Sequence, residues 1–473
     1  MMENDSKERG VVGADIKGEL HRSGPDLCED ERTESIVSQE IVKANLGFDL
    51  DNFQVLALKA MAYGKHVVLS VPTGAGKMIV AFLSHNILKR VTSCPNGVTI
   101  IMFPLTDLIT EVIKTSPLGL RTGFVKMSGA VEVDSELNIS MSHQMEDMCS
   151  GRISVIVGHP ESFSSPAGRQ ILDSLQEKNL IMQLVVDEAH TGLTSQWAGS
   201  FRSGMLSAPA RVRVKCQEGA PVLAMSATLT KRDTAELMSS LDLLESRTVI
   251  IRENPVLSNI KYCKYLCPNR FDGHIDSKLV YKEGSLDFLK IIALDDFARN
   301  VRNGTRNRNI LIFCYLKDAI KINNYLHEIL SDFATDEKNT PWILNYADKG
   351  PRSKANLRKR LNEGSIPLII STHCMLFGLN LNNIETVIML KPFSNLSDFL
   401  QAAGRAGRRS CDNTRKNCSF YLLYSKSDLA RKQVTEEVKE FVKSTLCLKE
   451  IIAHHFNYEM KCEGFWCSSN CDM

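Results

Sequence analysis

Short, uninterrupted apolar runs recur along this chain, each followed by a segment able to form a helix, and that rhythm narrows the fold more than any other feature. The first series comprises His66–Val71, Val98–Phe103, Ile153–Gly158, Leu184–Asp187 and Pro221–Met225. The second comprises Asn309–Phe313, Trp342–Leu344, Pro367–Ser371, Thr386–Leu390 and Ser419–Leu423. A strand apolar at every position is covered on both faces, and strands alternating with helices pair in parallel. The expected fold class is therefore α/β, two tandem lobes on parallel sheets, joined between Ile251 and Lys282.

A length of 473 residues fits two or three domains better than one. Residues 1–33 are polar and charged, with too little apolar surface to offset chain entropy, and are expected to form a disordered tail. An amphipathic stretch from Ser35 to Leu46 opens the fold, giving a first lobe at 34–250 and a second at 251–425. Residues 426–473 are helical and then rich in cysteine. No apolar run reaches the roughly eighteen residues that a membrane span requires. The charged N-terminus lacks the apolar core of a secretory signal. A net charge of +2 places any nucleic-acid surface in a local groove, not a global field. The 14 cysteines, scattered without a signal peptide, imply a reducing compartment with most of them as small buried hydrophobes.

Four motifs carry chemistry. Val71-Pro72-Thr73-Gly74-Ala75-Gly76-Lys77-Met78 lies between a strand and a helix-forming run. Small residues there let backbone N–H groups wrap a phosphate at a helix N-terminus, while Lys77 reaches the outer phosphates. Read bare, Gly-x-Gly-Lys is also an ordinary tight turn. Asp187-Glu188-Ala189-His190 ends an apolar strand, where open α/β sheets place ligands. Asp187 is suited to hold Mg2+ and Glu188 to orient the attacking water; the plainer alternative is a helix N-cap. Ser226-Ala227-Thr228 follows the next strand and by itself reads as a Ser/Thr turn. Gln401-Ala402-Ala403-Gly404-Arg405-Ala406-Gly407-Arg408 sets two arginines three apart. Their planar, permanent charge suits a transferring phosphoryl group, although a solvated basic turn would look similar.

In this order across two α/β series, these motifs resemble superfamily 2 helicases with a DEAH-type box, from about Leu46 to the C-terminus. The resemblance implies two RecA-like lobes with ATP in the cleft between them: Gln54 on adenine, Thr73 to Met78 on the phosphates. Asp187 and Glu188 would serve metal and water, with Gln401, Arg405 and Arg408 reaching in from the second lobe. Phe103-Pro104-Leu105 and His159-Pro160-Glu161 look like first-lobe motifs that contact a nucleic-acid backbone. Ile312-Phe313-Cys314 resembles the strand opening the second lobe, and Thr372 with Phe377-Gly378-Leu379-Asn380 its strand-touching motif.

Three features narrow the resemblance to RecQ. Gln196, Trp197, Phe201 and Arg202 resemble the aromatic-rich loop after the RecQ acidic box. Aromatic rings stack on bases at about 1–3 kcal/mol each without sequence preference, although Trp197 would serve equally as core. Gln401 to Arg408 matches the RecQ form of the last motif. Cys447, Cys462, Cys467 and Cys471 could make the tetrahedral zinc site that follows the second lobe in RecQ proteins, with His454 or His455 competing as ligands. The resemblance thus implies ATP, Mg2+ and Zn2+ as cofactors and single-stranded or partly duplex DNA as partner. It also implies 3′→5′ movement and a nuclear location. The winged-helix region of longer RecQ proteins is expected to be absent.

Departures are as informative. Val71 replaces a glycine, Met78 the magnesium-binding Ser or Thr, and Asn380 the usual Asp. Tyr346-Ala347-Asp348-Lys349 replaces Tyr-His-Ala-Gly-Leu, and two extra residues precede the aromatic loop. Two rival readings stay open on this ground: a hydrolysis-deficient ATP- or DNA-binding scaffold, and an RNA helicase of the same superfamily.

Overall fold

The computed structural model describes residues 20–27, 30–115, 117–128, 131–133, 141–193, 207–266, 309–315, 318–320, 322–323, 368–372, 376, 384–407, 417–431 and 434–461. Two sheets organise them, as the two series of apolar runs require. The first contains β1 (His21–Ser23), β2 (His66–Ser70), β3 (Val98–Met102), β4 (Thr122–Val125), β5 (Val131–Val133), β6 (Val155–Gly158), β7 (Ile181–Val186), β8 (Val222–Ser226) and β9 (Thr248–Arg252). Their order is β1-β9-β2-β8-β7-β3-β6-β4-β5, with only β1 and β5 antiparallel to their neighbours. The second sheet is wholly parallel, in the order β10-β14-β13-β11-β12. Its strands are β10 (Ile260–Leu266), β11 (Asn309–Phe313), β12 (Leu368–Ser371), β13 (Ile384–Leu390) and β14 (Cys418–Tyr424). The expected strand Trp342–Leu344 lies outside the described residues.

Two differences from the sequence reading have physical causes. β1 falls inside the supposed disordered tail, with all three residues exposed. It forms by adding backbone hydrogen bonds to the edge strand β9, a gain that apolar content cannot reveal. β10 was not anticipated because Lys261 and Lys264 interrupt its apolar run. Lys264 is nonetheless buried: its ammonium donates to the carbonyls of Phe441 (3.3 Å), Val442 (2.8 Å) and Ser444. A cation there satisfies the open carbonyls and the negative end of a helix dipole.

Helices cover both faces of the first sheet. α1 (Glu31–Ala44) starts on Asp30, whose carboxylate accepts the Thr33 N–H at 2.9 Å, and stops at Asn45 in the left-handed region. α2 (Asn52–Ala62) and α3 (Lys77–Val91) pack beside it against one face. Inside this lobe runs a fully buried polar chain. His85 Nδ1 pairs with Thr99 Oγ1 (3.0 Å), which donates to Gln183 Oε1 (3.1 Å), and Gln183 Nε2 donates to Ser84 Oγ (2.8 Å). It ties α3 to β3 and β7.

The second lobe is packed on rings instead. Phe399, on α4 (Leu396–Ala403 in the labelling used here), meets Phe420 edge-on at 4.5 Å and Phe441 at 4.7 Å, and Tyr262 lies beside them. Two further helices, α5 (Glu436–Lys443) and α6 (Leu448–His455), bury Val438, Phe441, Leu448 and Ile452 in the same core. The chain then crosses back to the first lobe. Arg252 donates to Leu229 O (2.8 Å) and Phe456 O (3.0 Å), and its guanidinium lies 5.2 Å from the centre of the Tyr458 ring. Asn457 Oδ1 accepts the Lys231 N–H at 2.8 Å, and His21 pairs with the Tyr458 ring at 5.6 Å. Among the described residues, no helix is long and apolar enough to cross a membrane.

Candidate active site

The phosphate loop follows β2 because the buried strand delivers it to the carboxyl edge of the sheet. Gly74 and Gly76 both take positive φ, 76° and 82°, a region that a side chain would strain. Lys77 opens α3, and its ammonium donates to the carbonyls of Val71 and Pro72, each at 3.0 Å. Gln54 is buried behind the loop: its amide donates to Ala75 O (3.3 Å) and Gly76 O (3.2 Å), while its oxygen accepts the Asp51 N–H (2.8 Å). Met78 is half-buried and packs against the aliphatic core of the first lobe.

β7 ends two strands away and delivers Asp187 and Glu188 to the same edge. Glu188 sits in the left-handed region at φ 46°. Burial raises the Asp187 carboxyl above the ordinary carboxylate range, the Glu188 charge raises it further, and Lys77 opposes both. Paired, desolvated carboxylates are a donor set suited to a hard divalent cation such as Mg2+. His190 is held neutral by burial, and its Nδ1 pairs with Ser226 Oγ at 2.9 Å. Ser226 Oγ also accepts the Thr228 N–H at 3.1 Å. The acidic box and the Ser-Ala-Thr turn are thus one hydrogen-bonded unit, so the plain Ser/Thr turn is also wired to the site.

The second lobe closes over these groups. Gln401, 0% exposed, donates from Nε2 to Glu188 Oε2 at 3.3 Å. Among the described residues its Oε1 and the Thr228 hydroxyl are buried with no protein partner, two polar atoms open to a ligand or its water. Arg405 is 2% exposed and donates from Nε to Gln401 O at 3.4 Å. Thr73 Oγ1 donates to Gly404 O at 3.4 Å, and a Cβ at Gly404 would lie 1.9 Å from that hydroxyl. Glycine at 404 is what lets the lobes meet.

Known proteins identify the pattern. The family model for the DEAD/DEAH box helicase matches residues 51–237, and that for the helicase conserved C-terminal domain matches residues 290–410. The chain belongs to the DEAD/DEAH box helicases. Its curated relatives within this family are distant and of RecQ type. The ATP-dependent DNA helicase Q5 of Rattus norvegicus is 25% identical over 389 residues, covering 80% of this chain and 36% of that protein. The ATP-dependent DNA helicase Q-like 5 of Arabidopsis thaliana is 24% identical over 369 residues, 77% of this chain and 35% of that one. The helicase chain described here spans about a third of the length of these relatives. Among solved structures, the DUF1998 helicase MrfA bound to DNA superposes with a TM-score of 0.61 at 18% identity, covering 88% of this chain and 55% of that one. The DEAD-box helicase Mss116 bound to single-stranded RNA gives 0.63 at 14% identity, with 93% and 82% covered. At such identities the likeness shows the fold alone.

Within this helicase fold, the segments Phe103-Pro104-Leu105 and His159-Pro160-Glu161 are tied together. His159 pairs through Nδ1 with Phe103 O (3.1 Å) and through Nε2 with Thr106 Oγ1 (3.0 Å). Thr372 follows β12, where its carbonyl accepts the Ser371 hydroxyl at 3.1 Å. Cys447 occupies the N-cap position of α6, half-buried, with no side-chain hydrogen bond to the helix. Gln196, Trp197, Phe201, Arg202, Asn380, Arg408, Cys462, Cys467 and Cys471 lie outside the described residues. Among the described residues no group of three or more His, Cys, Asp or Glu side chains is placed to hold a metal ion. Sequence reasoning missed Asn259, whose amide donates to Gly407 O at 3.1 Å, and the Arg252–Tyr458 contact. A lone Asn before an apolar run and an arginine ending a strand carry no sequence signal.

Proposed function

We propose that the protein is an ATP-dependent DNA helicase that moves 3′→5′ along single-stranded DNA in the manner of RecQ proteins, with weakened hydrolysis. The observation that carries this reading is the Gln401–Glu188 bond, which brings a second-lobe side chain onto the acidic box of the first. Site groups supplied by two lobes are complete only when the lobes are closed. Differential ATP affinity for that state is what turns hydrolysis into movement. Lys77 would bind the outer phosphates, Glu188 would orient the attacking water, and Arg405 with Arg408 would stabilise charge on the transferring group. Asp187 would hold Mg2+, which when bound neutralises phosphate charge. Thr372 and the loop bearing Gln196, Trp197, Phe201 and Arg202 would line the strand's path. The names of the curated relatives favour DNA over RNA. Cys447, Cys462, Cys467 and Cys471 would hold one structural Zn2+.

The second reading, a scaffold that binds ATP but scarcely hydrolyses it, is favoured by one observation. Met78 packs into the core and offers a soft thioether where an oxygen ligand is usual. One experiment separates the readings: phosphate release with no nucleic acid, single-stranded DNA and single-stranded RNA, at several Mg2+ concentrations. The expected result is DNA-stimulated hydrolysis with an elevated Mg2+ requirement. Met78→Ser should partly rescue a loss of about a hundredfold. Nucleotide binding without turnover under any condition would leave the scaffold; stimulation by RNA alone would make it an RNA helicase.

A further inference from the structure

Arg405 leaves α4 through a turn that is pinned from outside the motif. Gly407 has φ 65°, and its N–H donates to Ile384 O, at the start of β13, at 3.4 Å. Its carbonyl accepts Asn259 Nδ2 at 3.1 Å, and Asn259 O in turn accepts the Cys418 N–H at 2.9 Å. A Cβ at Gly407 would stand 2.5 Å from Asn259 Nδ2, so the side chain occupies the space that the missing Cβ leaves. The turn after Arg405 is therefore held through both peptide groups that flank the Gly407 Cα, by the first residue of β13 and by the residue that precedes β10. Backbone on each side of a left-handed glycine is otherwise free to rotate.

We propose that Asn259 is a positioning residue for the arginine turn: by holding the Gly407 carbonyl it sets the aim of Arg405 at the outermost phosphate. This rests on the reading of that arginine as a phosphate-directed group. Asn259 touches neither nucleotide nor DNA in this scheme. Its loss should therefore weaken what depends on the third phosphate and spare what does not.

Asn259→Asp tests this with nearly unchanged volume, because a carboxylate cannot donate to Gly407 O; Asn259→Ala serves as a second variant. A fluorescent ATP analogue and its ADP counterpart are titrated against native protein and each variant, alongside DNA-stimulated phosphate release. The expected result is a roughly tenfold loss in the preference for ATP over ADP and in kcat. ADP affinity and melting temperature should stay close to native. For Asn259→Asp both deficits should shrink as the pH is lowered and the carboxyl gains a proton to donate; for Asn259→Ala they should not. If native protein discriminates ATP from ADP and both variants do so equally well, the proposal is overturned. An equal loss of ATP and ADP binding, with a lowered melting temperature, overturns it in favour of a purely structural role. Absence of hydrolysis by native protein would sink the helicase reading alone, since the ATP-over-ADP preference still reads the turn. A native protein that binds neither nucleotide overturns both.

Discussion

The first lobe is wired and the second is packed. In the first, His85, Thr99, Gln183 and Ser84 form a directional chain through an aliphatic core, linking the helix that begins at Lys77 to the strand that ends before Asp187. In the second, Phe399, Phe420, Phe441 and Tyr262 hold α4 by shape. A hydrogen-bonded chain admits one relative placement of its elements, because a buried partner left unmatched is costly. Ring packing stabilises more per residue but constrains direction less. The lobe that must hold Lys77 against Asp187 thus uses direction. The lobe that brings Gln401 and Arg405 to them uses bulk, with hydrogen bonds added at places such as Lys264 and Gly407.

The largest test of this contrast is Phe399→Ala. Truncating a fully packed ring costs about 3–5 kcal/mol, and here it should fall on the second lobe. Urea unfolding followed by hydrogen exchange should show amides of β13 and β14 losing protection while β3 and β7 keep theirs. A cost below about 1 kcal/mol would mean that the rings fill space without holding α4. Next in size is Gln183→Leu, which takes one buried partner each from Ser84 and Thr99 and leaves them Ala81 O and His85. The expected loss is about 1–3 kcal/mol, now confined to the first lobe. Gln183→Leu that proves neutral would reduce the polar chain to a tolerated accident.

The smallest effect is one of pH, and its sign should differ between the buried histidines of the first lobe and Asp398 of the second. Burial lowers His66 to about 4, with Arg213 and Arg247 adding to it, and lowers His85 to about 3. The unfolded chain takes up protons at these imidazoles below about 6.5 and the folded lobe does not. Their stability contribution is therefore complete above that pH and is lost as pH falls toward 4. Asp398 is the reverse. Burial raises it to about 7 against the opposing bond from Asn395, so the folded state keeps a proton that the unfolded chain releases near 3.8. Its contribution is complete below the lower value and is lost as pH rises through the higher one. Melting curves between pH 4 and 8 should show stability lost on the acid side through the histidines and toward neutrality through Asp398, with the raised Asp187 adding to the second trend. Asp398→Asn should shrink the loss toward neutrality and leave the acid side unchanged; if it changes the acid side instead, the assignment to Asp398 is wrong.

Much of this was legible because the strongest signals are local. Continuous apolar runs announced β2, β3, β6, β7 and β8, since full burial on both faces leaves no room for polar residues. Lys77, Asp187 and Glu188 could be placed at one edge because each ends or follows such a run. What stayed hidden depends on a distant partner. β1 exists because β9 has an open edge. The Lys264 run reads as interrupted until the carbonyls ending α5 are placed above it. Gln54 showed its position but not that its amide would brace the phosphate loop. Asn259 acquires meaning only beside Gly407, 148 residues later.

The grip of Arg252 on Phe456 and Tyr458 also decides how the two halves can swing. A body tied at one point tumbles freely about it; tied along a line, it turns like a door. The peptide leaving β9 is one tie. Beside it Lys231 holds Asn457, and Asn254 donates to the Met460 sulfur at 3.8 Å, so the ties form a row along one margin. Rotation about such a row would displace the opposite lip of the cleft, where Gln401 meets Glu188, more than the margin itself. The last described residues of the chain serve as the hinge-plate of that door.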